Sequence, residues 1–251
     1  MGSSPTGPTN TQVRNPPESS HARLPPVLAK EALKGALRTE FGPLLRSLGF
    51  LGAFPTWRLQ QGDDVAVVDI QPGQYNEGDF GDFYVNLAIV PAAWWAWTHE
   101  CAGDTPWGSD SPKGRAREWD GLYRARSAPD DGQGRSDAGW PLDGVDEAAT
   151  VAARMTSALP GALDPLLELL RPGRLLDAMD SGLIDDQTPV NDRPGMRDIV
   201  RAVLLTEVGG TELQEACQRL DSWARHDFAE LPLATASWAR RRGASLGGSA
   251  P

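Results

Sequence analysis

The spacing of hydrophobic residues along this chain changes period twice. From Val27 onward, Leu33, Leu37, Phe41, Leu44 and Leu48 recur every three or four residues, which places them on one stripe of a helix facing a core. Gly42-Pro43 kinks or restarts that helix, and Gly49, able to take positive φ, ends it. The period then falls to two. Residues 54–60 carry Trp57 and Leu59 on one face, Gly62-Asp63-Asp64 turns the chain, and residues 65–71 are β-branched and apolar, so the two runs predict a hairpin. Residues 80–90 alternate Phe83, Val85, Leu87 and Ile89 with Tyr84, Asn86 and Ala88, the clearest strand in the sequence. A fourth strand is expected at 119–127, between polar loops at 100–117 and 130–139.

Helical spacing returns at Val145 and continues through Ala148, Ala149, Ala152, Met155 and Leu159, then Leu163, Leu166, Leu167 and Leu170. Pro160-Gly161 reads as a break between two segments. Two further amphipathic helices are expected at 195–208 and 211–228, the second capped by Thr211 and turning Leu213, Cys217, Leu220 and Trp223 inward. The predicted fold is α+β: an antiparallel sheet of four or more strands packed against an N-terminal helix and several C-terminal helices. Residues 1–26 are dominated by Pro, Ser, Thr, Gly and Asn and bury too little apolar area to offset the entropy of ordering. The chain therefore divides into a disordered arm at 1–26, an α+β domain at 27–171, a helical extension or subdomain at 172–240 and a disordered tail at 241–251.

Charge narrows the partners. Lys plus Arg number 24 against 34 Asp plus Glu, a net charge of -10 that repels phosphate backbones and anionic lipid, so nucleic acid and membranes are not expected. Arg240, Arg241 and Arg242 form the one dense basic run and read as a solvated helix end. Two distant cysteines, Cys101 and Cys217, fit a reducing cytoplasm, and the longest apolar run, 87–97, is too short to span a bilayer. The Ala/Arg/Gly/Pro-rich composition suggests a GC-rich bacterium.

Several short stretches occur in a characteristic order: Leu44-Leu45-Arg46-Ser47-Leu48-Gly49-Phe50, Trp57-Arg58, Val67-Val68-Asp69-Ile70-Gln71, Tyr75-Asn76 and Phe83-Tyr84-Val85-Asn86-Leu87-Ala88-Ile89. In these the sequence resembles the bacterial family known as domain of unknown function 4304, over roughly residues 30–170. The resemblance implies an α+β domain without an established activity; toxin immunity and other gene-neighbourhood roles are no more than suspicions attached to the family. It does not reach the helices after residue 172.

The candidate chemistry is sparse. Of nine tryptophans, Trp94, Trp95 and Trp97 crowd together after Pro91, as packing on the sheet or as an exposed recognition surface. Asp69, Gln71 and Asn86 are polar groups in apolar strands and need hydrogen-bond partners if buried. Asp69 and Gln71 share the face opposite Val68 and Ile70, either bonded to neighbouring strands or lining a groove with Trp57 and Tyr75. Glu77, Asp79 and Asp82 lack the spacing of a Ca²⁺ loop and read as turn residues. His99 and Cys101 have no second ligand pair, so no metal is assigned, and Gly132-Gln133-Gly134 lacks the strand and helix of a nucleotide loop. No cofactor or catalytic residue is assigned. The leading expectation is a non-enzymatic protein-binding module, inhibitor- or immunity-like, whose acidic, Trp-rich surface suits capture of a basic protein partner. The alternative is a small-molecule-binding protein or hydrolytic enzyme with its site on the sheet face.

Overall fold

The computed structural model describes residues 29–74, 76, 80–112, 115–129, 139–192, 194–226 and 229–247. The arm predicted at 1–26 and most of the Gly-rich loop at 130–139 lie outside those residues. The opening stripe forms two helices, α1 (Ala29–Leu37) and α2 (Phe41–Ser47), with Leu33, Leu37, Phe41 and Leu45 fully buried. Pro43 lies in the first turn of α2, where a missing N–H breaks no intrahelical bond, so the helix restarts there. Gly49 ends it at φ +89°.

Six strands make one antiparallel sheet: β1 (Leu51–Ala53), β2 (Thr56–Gln61), β3 (Asp64–Pro72), β4 (Gly81–Val90), β5 (Tyr123–Ser127) and β6 (Trp140–Leu142). Their order is β1-β2-β3-β4-β5, and β6 pairs with β4 as well. β4 is the hub, with β3 along one side and β5 then β6 along the other. The strand expected at 119–127 is shorter, because Glu118–Asp120 forms a 3-10 turn held by the Asp120 carboxylate, which accepts the Arg117 N–H at 2.7 Å. β1 and β6 have three residues each, too few for alternation to register in the sequence.

Parity assigns the two sheet faces. Trp57, Ala66, Val68, Ile70, Phe83, Val85, Leu87 and Ile89 point into the main core, against helices on that side. Val67, Ala88, Val90 and Ala116 make a second, small apolar patch on the opposite face, which we call outer. The tryptophan run is a helix, α3 (Ala92–Glu100), started by Pro91 and held by the Asp64 carboxylate, which accepts the Ala92 N–H at 2.8 Å. It is apolar nearly all round because it is packed nearly all round.

α4 (Ala148–Leu169) runs unbroken through Pro160 and Pro165, correcting the predicted break. Both prolines sit on its exposed side, where the carbonyls they leave unbonded reach water, while Met155, Leu159, Leu163 and Leu166 keep one buried stripe. α5 (Arg174–Asp180), α6 (Met196–Leu205), α7 (Gly210–Ser222) and α8 (Glu230–Gly247) complete the helical layer. α7 is preceded by Gly209 rather than capped by Thr211. Residues 241–247, predicted as tail, belong to α8: Leu231, Thr235, Ala236, Trp238 and Ala239 are buried along it, and Arg240 pairs with Asp221. These helices share one apolar core with the sheet. No helix of the described residues is long and apolar enough to cross a membrane.

Candidate functional site

The structure separates the predicted site residues into two sets. Trp57 lies on the core face against Phe41, with ring centroids 5.4 Å apart. Trp94 and Trp97 are three residues apart on α3 and so share one face, which is buried. The Trp94 indole donates to the Asp120 carbonyl at 3.1 Å and the Trp97 indole to Thr235 Oγ1 at 3.0 Å. Trp95 points elsewhere, half-buried beside the outer patch, its ring 4.2 Å from that of His99. The three indoles therefore form no common recognition surface. Tyr75 lies outside the described residues.

Asp69, Gln71 and Asn86 do come together, on the outer face. Antiparallel register sets Asp69 opposite both Thr56 on β2 and Asn86 on β4. The Thr56 hydroxyl donates to the Asp69 carboxylate. Asn86 Nδ2 donates to Gln71 Oε1 at 3.0 Å and to Glu118 Oε1 at 3.4 Å, and Asn86 Oδ1 accepts from Arg126 Nε at 3.1 Å. Arg126 also lies over the Tyr84 ring, 4.6 Å from its centroid. Asp69 and Asn86 are 7% and 5% exposed, so this network satisfies polar atoms that would otherwise be costly to bury. Thr56, Glu118 and Arg126 are its unpredicted members: cross-strand register places Thr56 and Arg126, and the fold of the 118–120 turn places Glu118.

The charges here differ from those of the chain as a whole. Burial pushes the Asp69 carboxyl above its ordinary value, against the Thr56 hydroxyl and the Arg117 and Arg58 guanidiniums. Burial, then the Asp69 charge, pushes Glu118 up as well. Arg58, Arg115, Arg117, Arg124 and Arg126 cluster on and beside this face, and none forms an ion pair with a described carboxylate. On the helical side Arg171, Arg174, Arg197, Arg201, Arg219, Arg240 and Arg242 do, while Arg46, Arg154 and Arg241 do not.

Pockets flank the network. One of about 300 Å³ is walled by Leu51, Val65, Val90, Ala92, Trp95 and Ala116, with Arg58, Gln60 and Asp63 as its polar groups. Another, of about 260 Å³ beyond the far end of β3, includes Gln71, Tyr84, Asp82 and Arg126. A third, of about 310 Å³, brings Trp107 and the 56%-exposed Trp119 together with Asp110, Asp192 and Arg124. Neither tryptophan stands out in the sequence, because they lie in a loop and a short turn without periodicity.

The remaining reactive groups are engaged or shielded. Both His99 ring nitrogens lie within hydrogen-bond distance of backbone carbonyls, Trp95 at 2.8 Å and Ser111 at 2.9 Å. Burial raises both thiols, Cys101 and Cys217, above the ordinary cysteine value. Among the described residues no group of three or more His, Cys, Asp or Glu side chains is placed to hold a metal ion. Glu77 and Asp79 lie outside those residues, and Asp82 is exposed on β4.

Sheet, register and helical layer define an α+β protein with a polar cluster on the side of the sheet away from its core. The chain belongs to the family described as domain of unknown function (DUF4304), whose model matches residues 41–169, the stretch from α2 to the end of α4. No curated protein and no solved structure matches it.

Proposed function

We propose that this chain is a non-enzymatic binding module that takes a negatively charged ligand on the outer face of its sheet. One observation carries the reading: five arginines that pair with no described carboxylate gather around a hydrogen-bonded polar network, on a protein whose net charge is -10. Such guanidiniums raise the local potential and present planar forks suited to carboxylate or phosphate groups. Binding fits better than hydrolysis because Asp69, the more buried carboxylate, is already bonded to Thr56 and nearly closed to solvent. A double Arg115→Ala/Arg126→Ala variant tests the proposal in affinity capture from the native host. A partner or metabolite retained by the natural chain and released by this variant supports the reading; identical capture by both sinks it.

A second reading, capture of a basic protein, is favoured by the pocket at Trp107 and Trp119. Trp119, 56% exposed beside the Asp110 and Asp192 carboxylates, already takes the Arg117 guanidinium over its ring at 5.5 Å, the contact a partner's cationic side chain would extend. Trp119→Ala would then release the partner while Arg115→Ala/Arg126→Ala would retain it.

A further inference from the structure

We propose that the pocket between β1, β2 and the start of α3 binds a small monocarboxylate with an apolar body, its carboxylate held by Arg58. This rests on the outer face being the ligand surface and names what one end of it accepts.

Among the described residues Arg58 is the single cation lining this pocket. Its Nε donates to the Ala116 carbonyl at 2.6 Å, which fixes the guanidinium, and neither terminal nitrogen forms an ion pair with a described carboxylate. A fixed fork with its outer edge free is the geometry that grips a carboxylate through two parallel hydrogen bonds. Burial, then the neighbouring Arg117 charge, lowers the Arg58 pKa, and the Asp69 and Asp120 charges act in the opposite direction.

The rest of the pocket is apolar. Val65, Val90, Trp95 and Ala116 belong to the small patch on the outer face, and Leu51, directly opposite Arg58 in register, is 76% exposed. A solvent-facing leucine beside an indole and two valines is surface that an apolar ligand would cover. A volume of about 300 Å³ is at the lower end for ligand pockets and suits a body the size of a phenyl ring or a short branched chain. Asp63, exposed at the rim, opposes a second negative charge at the mouth and so favours a monoanion.

The test uses phenylacetate, with neutral phenylacetamide and cationic phenethylamine as comparisons, by calorimetric titration and backbone and indole NMR of the full chain. Phenylacetate is expected to bind saturably and shift Val90 and Trp95, with phenylacetamide at least tenfold weaker and phenethylamine silent. Arg58→Gln should weaken phenylacetate at least tenfold, and Arg58→Lys should restore part of it. Because Arg58 also anchors Ala116, Leu51→Glu serves as an independent variant: it sets a carboxylate against Arg58 from an exposed edge, and should abolish phenylacetate binding with the melting temperature unchanged. Equal affinity for acid and amide, unchanged affinity in both Arg58→Gln and Leu51→Glu, or no saturable phenylacetate binding would each overturn the assignment. If phenylacetate fails while Arg115→Ala/Arg126→Ala still releases a captured partner, only the pocket assignment falls and the sheet-face reading stands.

Discussion

Asp69 and Asn86 face each other across β3 and β4, yet they take their side-chain hydrogen bonds from different neighbours. Asp69 is bonded from β2 through Thr56, while Asn86 reaches Gln71 along the sheet, Arg126 on β5 and Glu118 in the turn before it. The pair thus joins four strands and one loop through polar contacts on a face that lacks the cover of the helical layer.

Stability should rise as pH falls from neutral toward the ordinary carboxylate range. Asp64, Asp69, Glu118 and Glu207 all have folded pKa values raised, each mainly by burial, above the ordinary 3.8 for Asp and 4.5 for Glu. The folded state therefore binds more protons than the unfolded one between those values and the raised ones, and its extra stability is lost as pH climbs through that window. Urea melts from pH 7 down to pH 5 should show a rising midpoint, and Asp69→Asn should flatten the slope. A midpoint that falls on acidification would refute this.

Trp97 should be among the costliest side chains to lose. It is fully buried and its indole donates to Thr235 across the boundary between the sheet region and α8. Trp97→Ala is expected to cost about 3–5 kcal/mol. Thr235→Val, which strands the indole N–H, should cost about 1–3 kcal/mol. Chemical denaturation monitored by far-UV dichroism would measure both.

The family match ends at residue 169, but the core does not. A fragment of residues 29–171 would expose the faces that α6 and α8 cover, including Trp97 and Ala93. It should bind a hydrophobic dye and lose near-UV dichroism, whereas the full chain should unfold in one cooperative transition. A fragment with the full chain's near-UV spectrum would show that the C-terminal helices are dispensable.

Gly52→Ala should weaken the β1 edge. Gly52 sits at φ +130°, and an added Cβ would lie 2.5 Å from the Thr56 carbonyl oxygen. Backbone strain of this kind costs on the order of 1–3 kcal/mol. Hydrogen exchange should show faster opening of residues 51–53, with α4 unaffected.

Much of the sheet was legible because β2, β3 and β4 alternate cleanly, and parity alone put Asp69 and Gln71 on the face opposite Val68 and Ile70. What alternation does not contain is register, so the Thr56 and Arg126 partnerships could not be read from the sequence. Trp94, Trp95 and Trp97 illustrate a different limit. A run apolar on all sides has no period, and only the packing of α3 between sheet and α8 decides that two of the indoles are interior. Pro160 misled because proline's effect on a helix depends on whether its turn faces water, which composition does not tell.

The Asp64 carboxylate that holds the first turn of α3 belongs to the same hairpin that supplies Val65 and Asp63 to the Arg58 pocket, while α3 supplies Trp95. The hairpin and the helix that both line that pocket are thereby tied to each other. If the pocket takes a carboxylate as proposed, entry would require no closing step, so the ligand should associate at a rate set by diffusion and rising linearly with its concentration, and differences in affinity among ligands should appear almost wholly in how fast they leave.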